Sequence, residues 1–337
     1  MTTALTEEFR LEALSPKAYE HPADRAATAA LASVPMLDTV VRKLVEYGYE
    51  RALRQAVLGN AVRLGDRQLP ETYRQYGRAH HALDMPAEYG VYVGSLGPFG
   101  MNAMTAGTQE PLIILGGDLV TTLDEDEQRA VIAHELGHIL SDHVLYRTAL
   151  IILTGLLSGS SRVPFPVGLP LRALRLVLLE WFRAAELSAD RAAVLAVRDP
   201  QLTCRALMAV SAGIPSSRLS LDAFLTQAKD YADWTDPHDR TRRFFLELGQ
   251  GHPIAVRRVS EIMRWVQEGD YDRIIGGDYV RRGHEPPPRE AASDAVDFYV
   301  ERFKALFAEA GENISNFGKQ VTDWLKDLRG GGGGGES

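Results

Sequence analysis

The sequence predicts an α+β protein, mainly α-helical, with a small antiparallel β-sheet beside one metal-binding helix. Apolar residues recur at helical spacing over most of the 337 residues. Between Tyr89 and Val120 the texture changes to short β-branched and aromatic runs divided by Gly and Pro, as in a set of short strands. Directly after them comes a capped helical pattern carrying His134-Glu135-Leu136-Gly137-His138.

Composition narrows the function classes. A chain of this length with 45% hydrophobic residues buries a substantial core. Its formal net charge of -8 and scattered basic residues argue against a nucleic-acid partner, which needs a clustered basic surface. The single cysteine, Cys204, excludes an intrachain disulfide and thiolate metal sites of the finger or ribbon kind, and its helical surroundings mark it as a small core residue. The first residues lack the basic and long apolar regions of a secretory signal, so a cytoplasmic location is expected, with peripheral membrane association as the alternative.

Taken in order, residues 1–80 form a helical lead-in, clearest from Leu37 to Val45 and from Ala52 to Leu64. His21, before Pro22, and the pair His80-His81 suit loops or caps. Residues 81–270 make the main domain. Its strand-like runs are Tyr89–Gly94, Asn102–Gly107 and Pro111–Val120. An edge strand beside a metal cleft can hold an extended peptide by backbone hydrogen bonds; a purely structural hairpin is the other reading.

Asp124, with Glu127 three residues later, predicts a capping box and a helix start. On that helix His134 and His138 lie one turn apart on one face, so both imidazoles reach a single ion. Glu135 sits about 100° round the helix, beside a water on the ion but off the ligand face, which makes it the natural general base. His143 is about 140° away from His138 and is not expected to join the ion.

The uncharged run Thr148–Ser161 is 14 residues long, short of the roughly 20 a membrane span needs. Arg162, Arg172 and Arg175 interrupt any longer reading. A buried or interfacial helical hairpin is expected, with residues 148–171 as the place for any peripheral membrane contact. A long helix pattern then runs from Leu171 to Val197 and carries Glu186 and Asp190 four apart. A catalytic zinc takes three protein ligands and keeps one position for water, so two histidines need one more donor. Glu186 fits that role, and Asp190, one turn on, can accept the free ring N–H of a ligand histidine.

Together, His134-Glu135-Leu136-Gly137-His138, Glu186-Leu187-Ser188-Ala189-Asp190-Arg191 and Asn102-Ala103-Met104-Thr105-Ala106-Gly107 resemble the HtpX-type gluzincin metalloendopeptidases, the family that also holds the CaaX prenyl proteases. The likeness covers about residues 88–262. It implies a gluzincin-like metalloprotease core with one Zn2+ per chain, held by His134, His138 and Glu186. It also implies Glu135 as base, Asp190 in support, and Asn102-Ala103 leading the substrate-pairing strand. His252-Pro253 followed by Arg258-Val259 resembles a later family element, which gives His252 a catalytic role near the substrate carbonyl and places Arg258 near the metal. The activity so implied is zinc-dependent hydrolysis of polypeptide substrates, in protein quality control. A catalytically silent, zinc-stabilised scaffold or interaction protein is the alternative.

Residues 271–290, with Gly276-Gly277 and Pro286-Pro287-Pro288, read as a linker. An amphipathic helix follows over 291–328, its apolar stripe running from Val296 to Leu328 at alternating three and four spacing. It suits packing across the main domain, self-association or autoinhibition. Residues 329–337 form a flexible Gly-rich tail.

Overall fold

The strand-forming stretch builds a four-stranded sheet in the order β1-β2-β4-β3, from β1 (Ala61–Arg63), β2 (Gly90–Gly94), β3 (Ala103–Ala106) and β4 (Leu112–Gly116). The computed structural model describes residues 9–34, 36–46, 50–94, 102–158, 165–233, 254–285, 293–309 and 323. The sheet is mixed, not wholly antiparallel as the sequence suggests. β1 pairs with β2 and β3 with β4 in antiparallel register, but β2 and β4 run parallel, Gly90 facing Leu112 and Gly94 facing Gly116. The link from Gly94 to Ala103 is too long for a tight hairpin and delivers β3 to the far side of β4, which leaves β3 as an outer strand.

Helices surround this sheet. The lead-in supplies α1 (Pro22–Ser33), α2 (Leu37–Leu44), α3 (Glu50–Asn60) and α4 (Pro70–Ala82). Two of its histidines fall at helix ends: His21 caps α1, its Nδ1 accepting from the Ala23 backbone, and His80 lies in the last turn of α4. After β4 come α5 (Gly117–Thr122), α6 (Glu125–Leu140), α7 (Val144–Ser158) and α8 (Phe165–Val197). Then follow α9 (Pro200–Ala212), α10 (Leu221–Asp233), α11 (Ala255–Gln267), α12 (Asp270–Ile275) and α13 (Ser293–Glu309).

α6 begins where the sequence places its capping box: Asp124 accepts from the Glu127 backbone and Glu127 from the Asp124 backbone. It is buried on nearly every side, between β3, α4, α8 and α9, and so has little amphipathic contrast. Its approach to α8 is tight: a Cβ built on Gly137 would stand 2.6 Å from the Cβ of Ala192. Small residues on both helices therefore set how near the α6 histidines come to α8.

Two large cores share α8. One joins the sheet, α4, α6, α9, α11 and the C-terminal part of α8; the other joins α1, α2, α7, α13 and the earlier part of α8. Phe303, Leu306 and Phe307 of α13 are fully buried in the second core, so the described part of the C-terminal stripe packs inward on α1 and α8. Residues 310–322 and 324–328 of that stripe lie outside the described residues. Among the described residues no single helix is long and apolar enough to cross a membrane; α6 and α7 taken together are, but they bend by 105° at their junction.

Candidate metal centre

α6 and α8 bring His134, His138 and Glu186 to one point, although 48 residues separate the last two. His134 Nε2 and His138 Nε2 lie 3.2 Å apart; Glu186 Oε1 is 3.0 Å from His138 Nε2, and Glu186 Oε2 is 3.5 Å from His134 Nε2. A tetrahedral zinc with ligands at about 2.0–2.1 Å places neighbouring donors about 3.3–3.4 Å apart. The three donors thus have the spacing of an ion's ligand triangle, and all three residues are buried. A cavity lined by His134, Glu135, Glu186, Asn102 and Ala103 adjoins them.

Behind the ligands, Asp190 Oδ1 stands 3.0 Å from His134 Nδ1. Arg258, from α11, donates through Nε to Asp190 Oδ2 at 2.8 Å and pairs with Glu186 Oε2 at 3.2 Å. Its Nη2 is also 3.3 Å from His134 Nδ1. An imidazole whose Nε2 is kept for an ion carries its proton on Nδ1, so that proton goes to Asp190 and Arg258 serves the two carboxylates.

The ionisation of these groups follows from their neighbours. Burial alone would lower the His134 pKa, but Glu186 and Asp190 outweigh it and push it up to about 9. His138 is driven well below the ordinary histidine value by burial and by the Arg147 charge. Burial raises the Asp190 pKa less than Arg258 and His134 lower it, so the group is held below the usual carboxylate range.

Glu135 lines the same cavity, on the other side of the ligand face. Its Oε2 accepts from Arg147 Nη1 and from Thr105 Oγ1, both at 2.7 Å, while Arg147 Nη2 reaches Oε1 at 3.3 Å. Arg147 comes from α7 and Thr105 from β3. Asn102 and Ala103 stand at the entrance to β3, with the Asn102 side chain accepting from the Ala103 backbone. His143 stays off the ligand triangle, its Nδ1 lying 3.0 Å from the Nδ1 of His138, on the side of that ring away from the donors. Cys204 is buried in the first core, and burial pushes its thiol up to about 12.

The structure therefore draws eight of the nine sequence-predicted site residues together: His134, His138, Glu186, Glu135, Asp190, Arg258, Asn102 and Ala103. His252, the ninth, lies outside the described residues. Sequence reasoning misses Arg147 and Thr105. The signal for Arg147 was present, since it is the one charge in the otherwise apolar Val144–Ser158.

Two helices that pair a His-Glu-x-x-His turn with a distant glutamate define a metallopeptidase core. Residues 67–266 match peptidase family M48, and the chain belongs to that family. It is 30% identical over 266 residues to the plastoglobule-localized metallopeptidase 48, chloroplastic, of Arabidopsis thaliana, an alignment covering 76% of this chain and 74% of the relative. No solved structure matches the chain. The gluzincin likeness seen in the motifs thus holds at the level of the family, which carries metal-dependent peptidase activity in general and implies a divalent ion.

Proposed function

We propose that this chain is a zinc-dependent endopeptidase acting on extended segments of protein substrates, with one Zn2+ held by His134, His138 and Glu186. The observation that carries the reading is the buried donor triangle opening on a cavity that Glu135 and the outer strand β3 share. Zinc in that position supplies Lewis-acid stabilisation and lowers the pKa of water towards about 7. Glu135 takes the proton of the attacking water and returns it to the leaving amine. Because Oε2 carries the two short hydrogen bonds, Oε1 is the proton acceptor. Asp190 orients His134, and Arg258 braces Asp190 and Glu186. Backbone pairing along β3, entered at Asn102-Ala103, holds the substrate extended over the site.

Replacing Glu135 with Gln separates binding from chemistry. Zinc content stays at one per chain while cleavage of denatured casein falls by about 10²–10⁴-fold; turnover at the wild-type rate removes Glu135 from the role of base. The alternative, a zinc-stabilised scaffold without turnover, draws on the Arg147–Glu135 pair, which engages both carboxylate oxygens. It gains if wild-type protein, with or without residues 285–337, binds one zinc and cleaves no denatured casein. A place in protein quality control predicts preference for unfolded over folded casein-sized substrates. Peripheral membrane association through residues 148–171, the alternative to a cytoplasmic location, predicts co-sedimentation with liposomes.

A further inference from the structure

His138 is supported from behind by a chain of buried polar groups that ends outside the family-matched segment. Its Nε2 faces the donor triangle, so the ring proton sits on Nδ1 when an ion is bound. That Nδ1–H points at His143 Nδ1, 3.0 Å away. His143 then accepts on Nδ1 and carries its own proton on Nε2, which is 3.0 Å from Asp24 Oδ2. A carboxylate only accepts, and one proton arrangement satisfies every link.

Asp24 is itself held firmly. It lies in the first turn of α1, is buried, and accepts from Ser188 Oγ at 2.6 Å through Oδ2 and from Thr28 Oγ1 at 3.3 Å through Oδ1. Ser188 is two residues beyond Glu186 on α8, and Thr28 in turn accepts from the Trp181 indole at 2.9 Å. A buried carboxylate is expensive unless fully hydrogen-bonded, and this one has a hydrogen-bond partner on α1, on α8 and in the turn between α6 and α7.

We propose that His143 and Asp24 form a relay that fixes the tautomer and orientation of His138 as a metal ligand, so that α1, outside residues 67–266, completes the metal centre. His143 and Asp24 are positioning residues that touch neither ion nor substrate. The inference rests on the metal-site reading given above. Outer hydrogen-bond partners of ligand histidines raise ligand basicity, and their loss weakens metal affinity by roughly 10–100-fold.

The test uses the full chain, with Zn2+ affinity measured by chelator competition and ligand geometry by the visible bands of the Co2+-substituted protein. His143→Phe and Asp24→Asn are expected to weaken Zn2+ binding by about 10–100-fold and to shift the Co2+ bands. His143→Gln, whose carbonyl can still accept from His138, recovers most of the affinity. Should His143→Phe not fold, the near-isosteric Asp24→Asn decides. Wild-type affinity and unshifted bands in Asp24→Asn overturn the relay while leaving the peptidase reading standing. A wild-type chain that takes up no Zn2+ and cleaves nothing overturns both.

Discussion

The two histidines of the clamp stand one turn apart on the same helix, yet their surroundings differ in charge. His134 faces Glu186 and Asp190 and is pushed towards the protonated form; His138 also meets Glu186, but burial and the Arg147 charge outweigh it and drive the ring, which has His143 behind it, towards the neutral form. The motif is symmetric in sequence and asymmetric in the fold. Basicity at a metal site is therefore set by what distant elements bring up behind each ring, here α8 and α11 for one and α1 and α7 for the other.

Substitutions that remove one side and spare the other sharpen this contrast. The largest effect is expected on the His138 side, from Arg147→Met. It leaves Glu135 buried without its countercharge and costs about 3–5 kcal/mol of stability, read from urea unfolding of the metal-free protein. An unchanged midpoint would show that Glu135 does not depend on the pair. On the His134 side, Asp190→Asn removes the carboxylate that receives the ring proton. Metal affinity then drops by about 10–100-fold, whereas binding as tight as wild type in chelator competition would dismiss Asp190 as a support. A smaller change acts on both sides at once: Gly137→Ala sets a methyl against Ala192, parts α6 from α8 and costs about 1–3 kcal/mol. If thermal unfolding shows no loss, the helices have room that the contact distance denies.

Much of the His134 side was legible in the chain. The four-residue spacing of His134 and His138, the Asp124–Glu127 box and the four-residue step from Glu186 to Asp190 are local patterns, and helix geometry turns each into a shared face. The His138 side was hidden for the same physical reason. The helical angle removes His143 from the ligand face but says nothing about which ring or carboxylate meets it, and Asp24 lies 119 residues away. Sheet direction was hidden too, because alternation predicts strands and not their spatial order, and β3 crosses to the outside of β4. Arg147 announced itself only as a lone charge in an apolar helix, a sign of a buried partner whose identity needs the fold.

The helix α8 has 33 residues, a rod of about 50 Å at 1.5 Å per residue. Its near end is clamped in one core, and Glu186 rides towards the other. A slip of one residue along the axis would carry the Glu186 carboxylate about 1.5 Å from its two imidazoles, more than a metal–ligand bond tolerates. Registry along this rod decides whether the three donors meet, so the packing of its earlier part against α1, α7 and α13 sets the geometry of the donor triangle.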